Sequence, residues 1–228
     1  MRVNIIEARG IYKDFIVREN KIEILKGIDL IVETGKLMVF MGPSGSGKTT
    51  LINQLCLLDT PTQGTVYLFG ERMDELSEEK KDEIRCQKMG IIFQSVALIP
   101  KLTAFENIDF VLRMMKYPPK ERMERAKECL ALVGLEKRMN HMPYEMSGGE
   151  QQRVAIARAI AGKPLLIFAD EPTAELDSET GARVIHLFRN LVETQQTTII
   201  IASHDHYTTK YADQIVYLRD GQVKLQDE

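Results

Sequence analysis

Long apolar runs are missing from this sequence. The most apolar stretches, such as LLIFA at 165–169 and IIIA at 199–202, are far too short to cross a bilayer. Cysteine is scarce: Cys56, Cys86 and Cys129 are odd in number and widely spaced. That pattern excludes a disulfide framework and a zinc site and leaves packing thiols. There is no basic excess either. A net charge of −3 gives no global field to draw nucleic acid. The opening residues MRVNIIEARG lack a long apolar core and are interrupted by Glu7, so they do not read as a signal peptide. No internal repeat, low-complexity tract or long linker is present. Together these absences predict a soluble, intracellular, reduced protein. The 228 residues, 44% of them hydrophobic, suffice for one large domain or two modest lobes.

Three short apolar runs end in polar residues. KLMVF (36–40) leads into GPSGSGKTT, LLIFA into Asp170 and Glu171, and TTIIIA (197–202) into Ser203, His204 and Asp205. Unalternated runs of this length read as buried parallel strands. Ligands bind at the carboxyl ends of such strands, so three chemically loaded loops are expected to converge. RVNIIEARGIYKDF, KIEILKGIDLIVETG and TVYLFG read instead as antiparallel strands, and QIVYLRDGQVKLQ as a hairpin turning at Asp220-Gly221. The middle, roughly 98–162, is helical: Thr103 and Glu106 form a capping box, Pro119 suits a first turn, and Gly134 suits a stop. The expected fold is α/β, a mixed core with an antiparallel β region near the N-terminus and a helical lobe inserted before Asp170. The core takes in approximately 1–94 and 163–228, and the lobe approximately 95–162.

Gly42-Pro-Ser-Gly-Ser-Gly47-Lys48-Thr49 matches G-x-x-x-x-G-K-[ST] in full, between a predicted strand and a predicted helix. Such a loop wraps phosphates with backbone N–H groups. Lys48 supplies a cation to the β and γ phosphates, and the Thr49 hydroxyl is a ligand for magnesium. Asp170, closing a buried strand, is placed to hold that magnesium through water. Glu171, one residue on, can polarise an attacking water. His204 could reach a γ-phosphate, although a lone histidine at a strand end is more often structural. Gln94, leaving GIIFQ, is weak evidence by itself.

MSGGEQQR (146–153) opens a helix, with Ser147 and Glu150 as a capping box. Gly148 and Gly149 in the first turn each cost up to about 1 kcal/mol relative to alanine. A helix that accepts that cost is expected to need the space, and a bare helix N-terminus binds anions. The helix after the phosphate loop already serves the nucleotide on Lys48. Should the lobe hold Ser147 far from Lys48, the second anion site completes the first only in a symmetric pair of chains.

With these residues in place, the chain resembles the nucleotide-binding subunit of ATP-binding cassette (ABC) transporters. The resemblance runs from about Phe15 to Gly221. It rests on the Walker A loop GPSGSGKTT, Gln94 of the Q-loop, the signature MSGGEQ, the Walker B segment LLIFADE, the D-loop AELD and the switch His204, all in the family's order. LLDTPTQGTVYLFG, KMGIIFQSVALIPKLTAFENI and MSGGEQQRVAIARAIAGKPLLIFADEPT are most similar to the LolD/MacB group, which serves lipoprotein release, macrolide or peptide export and bacitracin-type resistance. The resemblance implies an ATP hydrolase that uses ATP and Mg²⁺. It also implies a homodimer in the ATP-bound state, peripheral on the cytoplasmic face of the membrane beneath a permease. Phe15 falls where the family stacks an aromatic on adenine, with Tyr12 the runner-up. Gly42, Ser44, Gly45, Ser46, Gly47, Lys48, Thr49 and Thr50 would hold the phosphates. Thr49, Gln94 and Asp170 would hold magnesium, and Glu171, His204 and Gln94 would act on the γ-phosphate and water. Ser147, Gly148 and Gly149 would bind the partner chain's γ-phosphate, and Asp177 would make a cross-dimer contact.

Three positions depart from the family pattern: Met146 for leucine, Glu150 for glutamine, and Glu175, an extra charge in the D-loop. Leu98, Ile99 and Pro100 are expected either to face a permease helix or to pack in the core. An FtsE-like ATPase, which acts on a membrane partner without moving cargo, fits the same residues. A chromosome-organising ATPase needs a long coiled coil, a ribosome-associated relative needs two cassettes, and a P-loop kinase has no reason to own MSGGE.

Overall fold

The computed structural model describes residues 4–224. Arg2, Val3, Leu225 and Gln226, the outermost residues of the two expected end strands, lie outside that range. The chain opens with a long antiparallel hairpin, β1 (Asn4–Val17) and β2 (Asn20–Glu33). Then come β3 (Leu37–Met41), α1 (Lys48–Leu55), β4 (Gln63–Leu68), β5 (Glu71–Arg72), α2 (Glu78–Lys88) and β6 (Met89–Ile92). Three helices follow: α3 (Ala104–Met114), α4 (Pro119–Leu132) and α5 (Gly148–Ile160). The chain returns through β7 (Leu166–Asp170), α6 (Ser178–Gln195), β8 (Thr198–Ser203), β9 (Gln214–Arg219) and β10 (Gln222–Lys224).

Two sheets result. β2-β1-β4-β5 is antiparallel, and β10-β9-β3-β8-β7-β6 is parallel except for its β9–β10 hairpin. Every residue of β3, β7 and β8 is buried, as expected of runs that do not alternate. Their pleat still sorts side chains between two cores. Met38, Phe40, Phe168 and Ile200 join α1 and the antiparallel sheet, while Leu37, Val39, Ile167 and Ile201 join α3 to α6. Burying a ring such as Phe40 contributes roughly 1.5–3 kcal/mol. The sheet that carries the three loaded loops is therefore clamped on both faces, and its carboxyl ends are held still.

The local signals read from the sequence set the helix ends. Thr103 and Glu106 make the capping box of α3, Pro119 stands in the first turn of α4, and Gly134 follows its end at φ 70°. An additional helix, α2, fills the segment after β5. Ser77 caps it by accepting from Lys80 N, acids occupy its first turn, and Arg85 and Lys88 lie in its last. Cys56 and Cys129 are buried and Cys86 half-buried, as packing thiols should be. Burial pushes the Cys56 thiol up to about 12.

The segment after Gln94 is fixed by packing. Leu98 lies against the helical core. The buried Asn107 accepts from Ile99 N at 2.8 Å and donates to Ile99 O at 3.2 Å. Leu98 therefore packs on the core and the Ile99 backbone is pinned, while Pro100 is exposed.

Candidate functional site

β3 delivers the phosphate loop and α1 closes it. Gly47, the N-cap of α1, has φ 102°, and Gly42 has φ 155°. A side chain at Gly42 would collide with the Leu218 carbonyl and lie 2.8 Å from Ser46 Oγ, so only glycine fits there. Lys48 is buried, and its ammonium donates to Gly42 O at 2.7 Å and Pro43 O at 3.1 Å. The cation is therefore held across the mouth of its own loop.

The three expected loops do converge. A cleft of about 600 Å³ is lined by Ser44, Gly45, Gly47, Lys48, Thr49 and Thr50 from the phosphate loop. Asp170 and Glu171 after β7, Gln94 after β6 and His204 after β8 complete it. Gly42 and Ser46 do not line it; Ser46 is buried and its carbonyl accepts from Gly221 N at 3.1 Å. Asp170 is 6% exposed, and its Oδ1 is buried with no hydrogen-bond partner among the described residues. Burial raises its pKa and Glu171 adds to the rise, while the Thr49 hydroxyl and Lys48 pull it down. Glu171 has φ 47°, a strained value for a residue with a Cβ, and is tied there by its N–H to Ala202 O at 2.9 Å. Its Oε1 lies 2.9 Å from His204 Nδ1. The carboxylate is 11% exposed and the imidazole 70%. The histidine thus reaches outward from a half-buried acid.

Ser147, Gly148 and Gly149 do not line this cleft. Ser147 Oγ accepts from Glu150 N at 3.2 Å and Ser147 N donates to Glu150 Oε2 at 2.9 Å, completing the expected box. Those bonds, chiefly the one from Ser147 N, hold the Glu150 carboxyl below its ordinary value. The glycines have a use within the chain itself. A Cβ at Gly149 would lie 3.0 Å from Glu175 O and 3.3 Å from Leu176, and one at Gly148 would lie 3.5 Å from Glu175 Oε2. The clearance read from the sequence as room for a ligand is partly filled by the segment after Glu171.

Comparison with known proteins decides the family. Residues 25–174 match the ABC transporter family. The chain belongs to that family. It is 46% identical over 218 residues to the ABC transporter ATP-binding protein MJ1508 of Methanocaldococcus jannaschii, covering 96% of this chain and 97% of the relative. It is 44% identical over 201 residues to the lipoprotein-releasing system ATP-binding protein LolD of Aquifex aeolicus, covering 88% and 89%. Among solved structures, the M. jannaschii cassette MJ0796 superposes with a TM-score of 0.93 at 40% identity, covering 96% of this chain and 97% of that one. That protein was solved as a dimer in a post-hydrolysis state bound to ADP and Pi. The present chain is accordingly an ABC ATP-binding subunit of the LolD-like kind, an ATP hydrolase.

The remaining cassette residues stand away from the cleft. Asp177 is the N-cap of α6: its Oδ1 accepts from Glu179 N at 3.1 Å and Thr180 N at 3.0 Å. Phe15, 42% exposed, lies under Lys13 Nζ at 5.1 Å and pairs across the hairpin with Ile22. Tyr12 is turned against Gly27. Neither aromatic lines the cleft, whereas Ile24 of β2 does. Nothing local in the sequence distinguishes Ile24 from its strand neighbours, and the same holds for Gln152. It is buried on α5, where its amide donates to Pro172 O at 3.4 Å and its Oε1 has no partner among the described residues.

Proposed function

We propose that the chain works as an ATP-closed homodimer beneath an integral-membrane permease of the lipoprotein-releasing type, peripheral on the cytoplasmic face of the membrane. The observation that carries the dimer is the separation of the two anion-binding elements. The cleft holds Lys48 and not Ser147, so each nucleotide is completed by the signature of the other chain. Asp177 then faces the partner, and residues 95–162 form the lobe that carries the signature. The dimeric, ADP- and Pi-bound relative supports this reading.

Within each site the loop N–H groups and Lys48 bind the phosphates, and Phe15, with Tyr12 as the second choice, stacks on the base. Thr49, Asp170 and Gln94 suit magnesium. A hard cation takes oxygen ligands, and the bare buried Oδ1 of Asp170 is one that no group among the described residues satisfies. When bound, the ion neutralises charge on the β and γ phosphates. Glu171 orients the attacking water and accepts its proton, and His204 holds the Glu171 carboxylate while facing the γ-phosphate. Loss of that phosphate loosens the dimer.

Permease contact is better served by another surface than the stretch around Leu98. An apolar groove of about 340 Å³ lies between α2 and the helical lobe, lined by Cys86, Phe93, Val111, Met114 and Met115. Phe93 lines this groove and its neighbour Gln94 lines the nucleotide cleft, so one short segment touches both. No described helix is long and apolar enough to cross a membrane; this reading assigns the moving spans to the permease. The test is capture of Glu171→Gln from detergent-solubilised native membranes with ATP and magnesium, followed by mass spectrometry. A co-purifying permease with few spans and a large external domain is expected. A many-span permease, or no membrane protein at all, would contradict the lipoprotein-release reading.

A further inference from the structure

His204 is followed by a turn whose far end packs on the helical core through Tyr211 and Ala212, with Thr208 buried, but which has few side-chain hydrogen bonds to other elements. β8 ends at Ser203, and the next firm anchor is Asp213, whose N–H donates to Leu37 O at 2.8 Å and whose Oδ2 accepts from Leu37 N at 2.9 Å. Between them the turn is held mostly by itself. Asp205 Oδ1 accepts from Tyr207 N, Thr208 Oγ1 donates to Asp205 O, and Thr209 Oγ1 donates to His206 O. Such local bonds fix a shape but not a place.

Among the described residues, the segment's side-chain hydrogen bonds to other elements are few. One is the His204–Glu171 contact. The other goes to α6: Tyr211 Oη is 3.3 Å from His186 Nε2, and within the segment Tyr207 Oη lies 2.9 Å from Tyr211 Oη. The rings also pack, His186 on Tyr211 edge-on at 4.9 Å and Tyr211 on Tyr207 at 5.4 Å. One turn further along α6, Arg189 donates to Tyr211 O at 3.4 Å and to Asp213 Oδ2 at 2.9 Å. α6 itself is clamped to the sheet by the buried Val184, Ile185 and Phe188, and it begins at Asp177.

We propose that Tyr207, Tyr211 and His186 are positioning residues for hydrolysis. They lock the turn carrying His204 to α6, so that the D-loop end of α6 and the switch histidine move as one body. The inference rests on the reading of His204 as a group that acts in turnover. Its geometry follows from exposure: an imidazole 70% exposed has no packing of its own to fix it. Its place beside Glu171 is set by the backbone that follows it; Arg189 holds the far end of that backbone to α6, and the two hydroxyls and one imidazole carry the tie back towards His204. Either hydroxyl can donate or accept, so the chain of bonds survives in both directions. Removing one hydroxyl breaks it without disturbing ring packing.

The test compares steady-state hydrolysis by the full chain with equilibrium binding of a fluorescent ATP analogue. Tyr211→Phe and Tyr207→Phe are each expected to lower kcat about threefold to tenfold. Nucleotide affinity and Tm should stay close to those of the parent. His186→Gln keeps a hydrogen-bonding group on α6 and should retain most of the rate, whereas His186→Leu should behave like Tyr211→Phe. An unchanged kcat in Tyr211→Phe overturns the proposal. So does a fall in kcat matched by equal losses of affinity and Tm, which is the mark of a merely structural contact. His204→Ala is measured alongside. Its turning over at the parent rate would contradict the underlying role of His204, whatever the tyrosine variants do.

Discussion

Burying a carboxylate with one bare oxygen destabilises a fold, and Asp170 is such a residue. Its burial outweighs the help it receives from Thr49 and Lys48, so its folded pKa lies above the ordinary 3.8. Between those two values the folded chain binds more protons than the unfolded one, and stability falls as pH rises. Above both, the nucleotide-free protein carries the full cost of the buried charge. Asp170→Asn should therefore stabilise the nucleotide-free, metal-free chain by on the order of 1 kcal/mol, about 2–4 °C in Tm. The gain should be larger at pH 8 than at pH 5. The same substitution should reduce magnesium-dependent hydrolysis at least about 100-fold. Thermal melts at the two pH values with parallel rate measurements check both; a lower Tm at pH 8 would contradict this account. At this scale the sequence was informative because the chemistry is local. Lys48, Thr49, Asp170 and Glu171 were legible from strand ends and motif spacing, Gln94 and His204 only through the family resemblance, and one cleft collects them all. Ile24 and Gln152 were not legible, because their significance comes from what packs against them. The choice between Phe15 and Tyr12 depends on the register shifts of the β1–β2 hairpin, which no local pattern announces.

Asp177 caps α6, and the dimer proposed above would give it a second use. Within the chain it caps α6, which pulls its carboxyl below the ordinary range, chiefly through the Thr180 N–H. Across the proposed dimer it faces the partner. The two uses separate by substitution. Asp177→Ala removes the cap and should cost about 1 kcal/mol, roughly 2–4 °C in Tm. Asp177→Asn, an equally good cap, should leave Tm unchanged. Hydrolysis should fall in both if the charge is used across the interface; full activity in Asp177→Asn would confine the residue to capping. Element ends were well read from sequence, since capping boxes at Thr103 and Ser147, Pro119 and Gly134 act over three or four residues. α2 carried equally clear signals in Ser77, Glu78 and Glu79 and shows that such signals suffice where they are sought. The glycines of the signature were read only in part. Their cost pointed to a close approach, but the approaching group within the chain is Glu175, brought there by tertiary folding that spacing along the sequence does not express.

At the scale of the whole molecule, the parallel character of β3, β7 and β8 and the convergence of their loops follow from unalternated apolar runs. The order of the outer strands, β9 beside β3 and β6 at the far edge, depends on crossovers and was not readable. The division of anion-binding elements belongs to this scale as well. The chain has a phosphate loop in one cleft and a signature helix outside it, and the proposed two-fold pair would use both twice. The measurement that tests this most directly is the molecular mass of Glu171→Gln by light scattering, with and without saturating ATP and magnesium. The account predicts monomer without ATP and dimer with it, and loss of that dimer when Ser147→Arg is added, with ATP still bound to the monomer. A Glu171→Gln chain that remains monomeric in saturating ATP, or a dimer indifferent to Ser147→Arg, would contradict it.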